Sequence, residues 1–217
     1  MIKAGIVDGS GHRAGELIRL LIHHPDVQLI WVTNPANPGA SIAAHHRGLV
    51  GETALTFSDT PDLKSVDVVF LCHAEGSTPR WLERHQIPED LRIIDMSTSE
   101  VDEEGTFVYG LTEYNRKPLV RGARRAVTPG ALAMALELSL LPLATHLMLN
   151  SDVHVTAISA SSEAAMNHSE DTHARRSDNV FPSALLAHDD VPEVEKLLSS
   201  IQNSFDDKLH LIELSGP

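Results

Sequence analysis

The spacing of apolar positions changes along this chain, and each period predicts an element. Residues 2–7 are a short apolar run with β-branched members, and residues 14–24 repeat apolar positions at helical spacing through Leu17, Leu20 and Leu21. His24-Pro25-Asp26 stops that helix, and residues 27–33 read as a second strand. Residues 66–72 are almost continuously apolar, as a strand covered on both faces should be, and residues 91–96 read as a fourth strand. Strands alternating with helices over roughly the first 120 residues predict an α/β fold with a doubly wound parallel sheet.

The second half has a different rhythm. Residues 34–52, with Pro35, Pro38 and the pair His45-His46, read as an irregular excursion. Thr128-Pro129-Gly130 opens the long apolar run 131–149, which predicts a buried helix. Residues 153–158 read as a strand and 159–190 as polar and irregular. Residues 191–205 form an amphipathic helix with Val194, Leu197, Leu198 and Ile201 on one face, and 209–214 alternate like a final strand. The expected organisation is a domain over residues 1–127 and a short, incomplete α+β domain over 128–217.

Composition narrows the classes. A hydrophobic content of 42% over 217 residues suits a globular chain with a real core. Glu137, Pro142 and His146 interrupt the run 131–149, so it does not read as a membrane span. The first residues run straight into a strand with no signal-peptide pattern, which predicts a cytoplasmic protein. A net charge of −13 disfavours nucleic acid and anionic membranes as partners. The single cysteine, Cys72, excludes an internal disulfide and any multi-cysteine metal site.

Asp8-Gly9-Ser10-Gly11-His12-Arg13-Ala14-Gly15 follows the first strand and opens the first helix, where a dinucleotide fingerprint belongs. Gly9, Ser10, Gly11 and His12 are the candidate cofactor-binding residues of a Rossmann-like NAD(P)-binding-type domain. Asp8 stands where the fingerprint's first glycine would be. A carboxylate about 5 Å from a phosphate charge at an effective dielectric near 20 costs roughly 3 kcal/mol before screening. The turn therefore argues for the fold more than for the cofactor, and Gly9 or Arg13 would have to compensate.

Several segments together resemble the N-acetyl-γ-glutamyl-phosphate reductase family. They are the opening βα unit, GIVDGSGHRAGELIRLLIHHPDV; Tyr109-Gly110-Leu111-Thr112-Glu113-Tyr114-Asn115-Arg116; the stretch VTPGALAMALELSLLPLATHLML; and His188-Asp189-Asp190-Val191-Pro192-Glu193-Val194. They run in order over essentially the whole chain. The resemblance implies an NADP-dependent oxidoreductase of arginine biosynthesis. In that chemistry a cysteine displaces phosphate to form a thioester, hydride reduces it to an aldehyde, and a histidine handles protons.

The departures fall on that chemistry. The nucleophile position is Ala131, and a methyl group cannot attack a carbonyl. A cysteine there would sit at the positive end of the helix dipole, which favours a thiolate. His188 is kept, but the second histidine of its motif is Asp190, which reads as an exposed carboxylate and a poor general acid; Glu193 is kept. His188, Asp190 and Glu193 are therefore remnants of a catalytic set. The cleft loop reads Met96-Ser97-Thr98-Ser99-Glu100-Val101, the turn after the third strand Ala74-Glu75-Gly76, and the glycine-rich loop Ala160-Ser161-Ser162-Glu163-Ala164-Ala165. Backbone freedom and positive charge leave, and negative charge enters. After Leu211-Ile212-Glu213-Leu214-Ser215-Gly216-Pro217 the chain stops where the resemblance implies an arginine-containing segment and more sheet.

Other clusters have plainer readings. Cys72 at a strand end reads as a core cysteine. His45-His46 and the run His168-Ser169-Glu170-Asp171-Thr172-His173 read as solvated histidines, with no metal expected because the spacing matches no metal motif. Arg175-Arg176 beside Asp178 reads as surface, and Ser161-Ser162 shows no partner base. Three functions follow: a catalytically inactive homologue of the reductase; an interaction protein that self-associates as a homo-oligomer or pairs with an intact paralogue through uncovered sheet edge; and a working reductase by a non-covalent route.

Overall fold

The computed structural model describes residues 1–97, 105–159, 179–185, 188–206 and 208–215. The chain divides into two compact units, Met1–Pro129 and Gly130–Pro217.

In the first unit the strands are β1 (Ile2–Val7), β2 (Val27–Val32), β3 (Val68–Leu71), β4 (Arg92–Asp95), β5 (Val108–Tyr109) and β6 (Arg125–Val127). The helices are α1 (His12–Ile22), α2 (Ile42–His45), α3 (Thr78–Arg84) and α4 (Thr112–Val120). The six strands form one parallel sheet in the order β2-β1-β3-β4-β6-β5. Strand order reverses between β1 and β3, so their carboxyl ends flank the crevice where open α/β sheets take ligands.

Alternation along the strands sends side chains to two covered faces. Ala4 and Ile6 pack with Ala14, Ile18 and Leu21 of α1, together with Val32, Ile42 and Phe57. Val7 packs on the other face with Val69, Leu71, Ile93 and Val127. The helical face of α1 differs from the expected one: Ala14, Ile18 and Leu21 are buried, whereas Leu20 is exposed. Small Ala14 lets α1 approach the sheet and rotates the covered stripe away from Leu20. The excursion 34–52 holds more order than its composition suggests. Ser41 accepts from Ala44 N–H at 3.3 Å and caps α2, and a 3-10 turn follows at Arg47–Leu49. Strands β5 and β6 have two and three residues, too few to leave a period.

The second unit contains α5 (Ala131–Thr145), β7 (Val153–Ser159), β8 (Phe181–Leu185), α6 (Asp190–Ile201) and β9 (Leu209–Ser215). Its sheet runs β7-β9-β8, with β7 parallel and β8 antiparallel to β9. Leu136 and Leu140 of α5 and Val194 and Leu198 of α6 pack with Val153, Val155, Leu209 and Leu211. The opposite face carries exposed His154, Thr156, Ile158 and Ile212. Two expectations are corrected here. The helix begun at 131 ends at Thr145, not 149, because Leu147 takes a positive φ of 56° and turns the chain. Strand β8 lies inside the stretch 159–190 that reads as irregular. It is an edge strand whose Pro182 sits beside a bulge, a place that tolerates a missing N–H donor.

Candidate functional site

The turn after β1 is built around Asp8, whose φ of 59° lies in the left-handed region that favours glycine. Its N–H donates to Thr33 Oγ1 at 3.1 Å, and its carboxylate accepts from the Ser10 hydroxyl at 2.9 Å. The next residue must be glycine, because a Cβ at Gly9 would lie 2.0 Å from Val32 Cγ1. Gly9 N–H donates to the Thr33 carbonyl at 2.8 Å. Gly11 caps α1 with no side chain, and exposed His12 is the first helical residue.

His45 and His46 are not merely solvated. His45 Nε2 donates to the Ser10 carbonyl at 3.0 Å, and His46 Nε2 donates to the Gly9 carbonyl at 2.7 Å. Two consecutive carbonyls of a tight turn need donors, and this pair supplies them. Burial pushes the His46 pKa down, the bond to Gly9 opposes that, and His45 and His12 add to the lowering. His46 is thus a neutral donor held against the turn.

Three further groups line the carboxyl ends of the strands. Asn34, just past β2, is only 3% exposed. Its Oδ1 accepts from Ala36 N–H at 3.3 Å, while its buried Nδ2 has no partner among the described residues. Arg13 reaches from the first turn of α1 to donate to the Met96 carbonyl beyond β4. Beyond β3, Cys72 Sγ lies 4.0 Å from Met96 Sδ, and burial pushes its thiol up to about 12, with Asp8 and Asp95 adding and Arg13 opposing. That thiol carries almost no thiolate at neutral pH, so it is no substitute nucleophile.

Asp95 ends β4 and is 1% exposed. Its Oδ1 accepts from Ser97 N–H at 2.8 Å and the Ser97 hydroxyl at 2.6 Å, and its Oδ2 accepts from the Thr78 hydroxyl. His73 Nε2 lies 2.8 Å from Thr78 Oγ1. Sequence reasoning missed this chain of groups and Asn34. The available signal was a carboxylate closing an apolar strand, Ile93-Ile94-Asp95.

In the second unit Ala131 is the first residue of α5, after Gly130. Asp190 comes to the same helix end: its Oδ2 accepts from Ala133 N–H at 2.9 Å. Gly130 leaves room for it, since a Cβ there would meet Asp190 Oδ2 at 2.9 Å. Asp190 is therefore not the exposed carboxylate expected. Its side chain is 23% exposed and caps α5 from a distant part of the sequence, drawn there by the helix's free N–H groups.

His188 Nδ1 accepts from Asp190 N–H at 3.1 Å and lies 4.0 Å from Asp190 Oδ1. His188 Nε2 faces Glu213 Oε2 at 3.7 Å. The imidazole is thus bracketed by Asp190 and Glu213. Glu213 escaped the sequence reading, although Leu209-Leu211-Glu213 puts a carboxylate on the covered face of β9, which is the usable signal. Glu193 lies half-buried in the first turn of α6, and Glu137 is buried in α5. The loop Ala160–Ala165, the pair Ser161-Ser162, the run His168–His173, Arg175-Arg176 and the part of the cleft loop from Thr98 onward lie outside the described residues. Among the described residues no group of three or more His, Cys, Asp or Glu side chains could hold a metal ion, and no helix is long and apolar enough to cross a membrane.

Residues 3–121 match the family of semialdehyde dehydrogenase NAD-binding domains, a class with which the parallel sheet and its first turn agree. Over its whole length the chain is 42% identical to N-acetyl-gamma-glutamyl-phosphate reductase of Bacteroides fragilis and covers 68% of that protein. It is 42% identical to the reductase of Parabacteroides distasonis and 36% identical to that of Flavobacterium johnsoniae, again with 100% of this chain and 68% of each relative covered. The chain belongs to the N-acetyl-γ-glutamyl-phosphate reductase family. Solved structures share the fold. Aspartate semialdehyde dehydrogenase with NADP from Candida albicans superposes with a TM-score of 0.65 at 14% identity, over 100% of this chain and 68% of that one. The aspartate semialdehyde dehydrogenase II of Vibrio cholerae, complexed with ASA, gives 0.70 at 12%, over 100% and 70%.

Proposed function

We propose that this chain is a family member that does not reduce an acyl phosphate through a thioester, and that it keeps the dinucleotide crevice of its first unit as a ligand site. The observation that carries the first half is the α5 terminus. Ala131 supplies no nucleophile there, and the Asp190 carboxylate accepts the Ala133 N–H, one of the terminal donors that would favour a thiolate or a developing oxyanion. His188 is held between the carboxylates of Asp190 and Glu213, and Asp190 Oδ2 is engaged as a helix cap by Ala133 N–H.

The first unit fits an NADP-type dinucleotide in part. Gly9, Ser10, Gly11 and His12 would meet the pyrophosphate through backbone N–H groups and the α1 terminus, with Arg13 as the counter-charge. The unpartnered Asn34 Nδ2 offers a donor at the end of β2, where a ribose is read. Asp8 opposes the phosphates. When bound, such a cofactor supplies or accepts hydride; the chain's own groups bind and orient it. The test is an NADPH and NADH titration by ligand fluorescence with a thermal-shift control, combined with intact-mass measurement after exposure to the acyl phosphate. We expect cofactor binding and no acyl adduct. A covalent adduct would overturn the first half, and no binding at millimolar cofactor would overturn the second.

A second reading, an interaction protein that forms a homo-oligomer or pairs with an intact paralogue, is favoured by one observation. Helix α5 is largely apolar, and Met134, Leu138 and Leu143 are exposed, as are Leu147 and Met148 beyond it. Helices of that composition are ordinarily covered. A clean monomer in concentration-dependent sedimentation would remove this reading. A working non-covalent reductase would need an electrophile-stabilising site, and nothing among the described residues favours it.

A further inference from the structure

The chain of hydrogen bonds beyond β3 has a fixed direction. Asp95 accepts at both oxygens, from Ser97 N–H and the Ser97 and Thr78 hydroxyls. The one proton of the Thr78 hydroxyl is therefore committed to Asp95, and that of Ser97 likewise. Thr78 Oγ1 can only accept from His73 Nε2, 2.8 Å away. A hydroxyl has one donor and two acceptor sites, and a neutral imidazole donates from one nitrogen and accepts at the other. The buried carboxylate thus dictates, through Thr78, which His73 nitrogen carries the proton. It leaves Nδ1 as an open acceptor with no partner among the described residues.

The position of His73 gives this acceptor a use. It lies two residues beyond β3, on the far side of the strand-order reversal from β2. In a doubly wound sheet the first βα turn meets the pyrophosphate and the end of β2 meets the adenosine ribose. The opposite side of the crevice falls to the other half of the ligand. That half of a pyridine dinucleotide is rich in neutral donors: ribose hydroxyls and a carboxamide N–H.

We propose that His73, its tautomer set by the Thr78–Asp95 relay, is a binding residue that accepts a hydrogen bond from the nicotinamide-riboside half of a dinucleotide. This rests on the dinucleotide reading of the first unit. Thr78 and Asp95 are positioning residues, acting only through His73. Burial lowers the pKa of His73, although Asp95 and Asp8 oppose it, and this favours the neutral ring that an acceptor must be.

The experiment has two readouts on the full chain. Long-range ¹H–¹⁵N correlation on imidazole-labelled protein reports the tautomer. We expect His73 with its proton on Nε2, and a Thr78→Val variant in which that preference is lost. Fluorescence titration with NADPH is paired with competition by 2′,5′-ADP, which lacks the nicotinamide half. His73→Phe should weaken NADPH by about tenfold, the worth of one hydrogen bond left unmade, and leave 2′,5′-ADP unchanged. His73→Gln, which can both donate to Thr78 and accept from the ligand, should recover most of the loss. A proton on Nδ1, unchanged NADPH affinity in His73→Phe, or equal weakening of both ligands would overturn the assignment. If the unmodified chain binds neither NADPH nor 2′,5′-ADP, the dinucleotide reading itself falls and this inference falls with it. If it binds both but His73→Phe changes neither, only this inference falls.

Discussion

Replacing Asp190 with alanine should loosen the start of α5. The helix has glycine at its N-cap and no acid in its first turn, so its only described side-chain cap is Asp190 Oδ2, 2.9 Å from Ala133 N–H. Losing an N-cap side chain costs about 0.5–2 kcal/mol, and a hydrogen bond to a charged group is worth about 1.5–3 kcal/mol. The site is partly exposed, at 23% of the side chain, so the lower part of that range applies: about 1–2 kcal/mol. Asp190→Asn keeps an acceptor but gives up the charge at the helix terminus, and should lose about half as much. Urea unfolding followed by circular dichroism reads this as a lower midpoint at unchanged slope, and amide exchange at Ala133 should quicken in parallel. A midpoint for Asp190→Ala within about 0.3 kcal/mol of the unmodified chain, with Ala133 protection intact, would refute the cap.

Asp8→Gly removes both a left-handed non-glycine residue and a carboxylate facing the phosphates; NADPH affinity should rise at least about tenfold, since the opposed charge costs roughly 3 kcal/mol before screening. Unchanged affinity in a titration would show that Ser10 and Arg13 already neutralise it. Cys72, pushed up to about 12 by burial, should react with a thiol reagent at pH 7 about a thousandfold more slowly than a free cysteine, and rapid labelling of the folded chain would contradict that environment. Burial lowers the folded-state pKa of His46, so its contribution to stability is fully present above the unfolded value near 6.5 and is lost as pH falls through the folded value. Unfolding free energy should therefore drop as pH falls below about 6.5, less steeply in His46→Gln, whereas an identical slope in the variant would remove His46 as the cause. Asp152, whose pKa is lowered by its bond to His210, sits at the acid end of the scale and should not contribute in that window.

The parallel sheet was readable because its strands are short apolar runs covered on two faces, and Ile2–Val7 and Val68–Leu71 carry that signal without ambiguity. Strands β5, β6 and β8 were not, since pairs and triplets leave no period and Pro182 argues against a strand until its edge position is seen. At the site, sequence identified the missing nucleophile at Ala131 from local pattern. It could not place Asp190, because a cap supplied from 57 residues away is a tertiary contact. It also set His45 and His46 aside as solvent-facing, because nothing local reveals that two turn carbonyls await donors. Asp95 and Glu213 are the instructive cases: each is a carboxylate on a covered strand position, and each holds a histidine system in place or faces one. A buried-side acid within an apolar strand was the readable clue in both.

With Ala131 in place of a nucleophile, the family's reduction should not run on this chain. NADPH absorbance followed after mixing the protein with N-acetyl-γ-glutamyl phosphate reads that reaction. We expect oxidation at the protein-free rate, with no burst even at protein concentrations equal to the cofactor. Oxidation proportional to protein concentration and abolished by boiling would contradict this, and would mean that a route without a nucleophile at Ala131 operates.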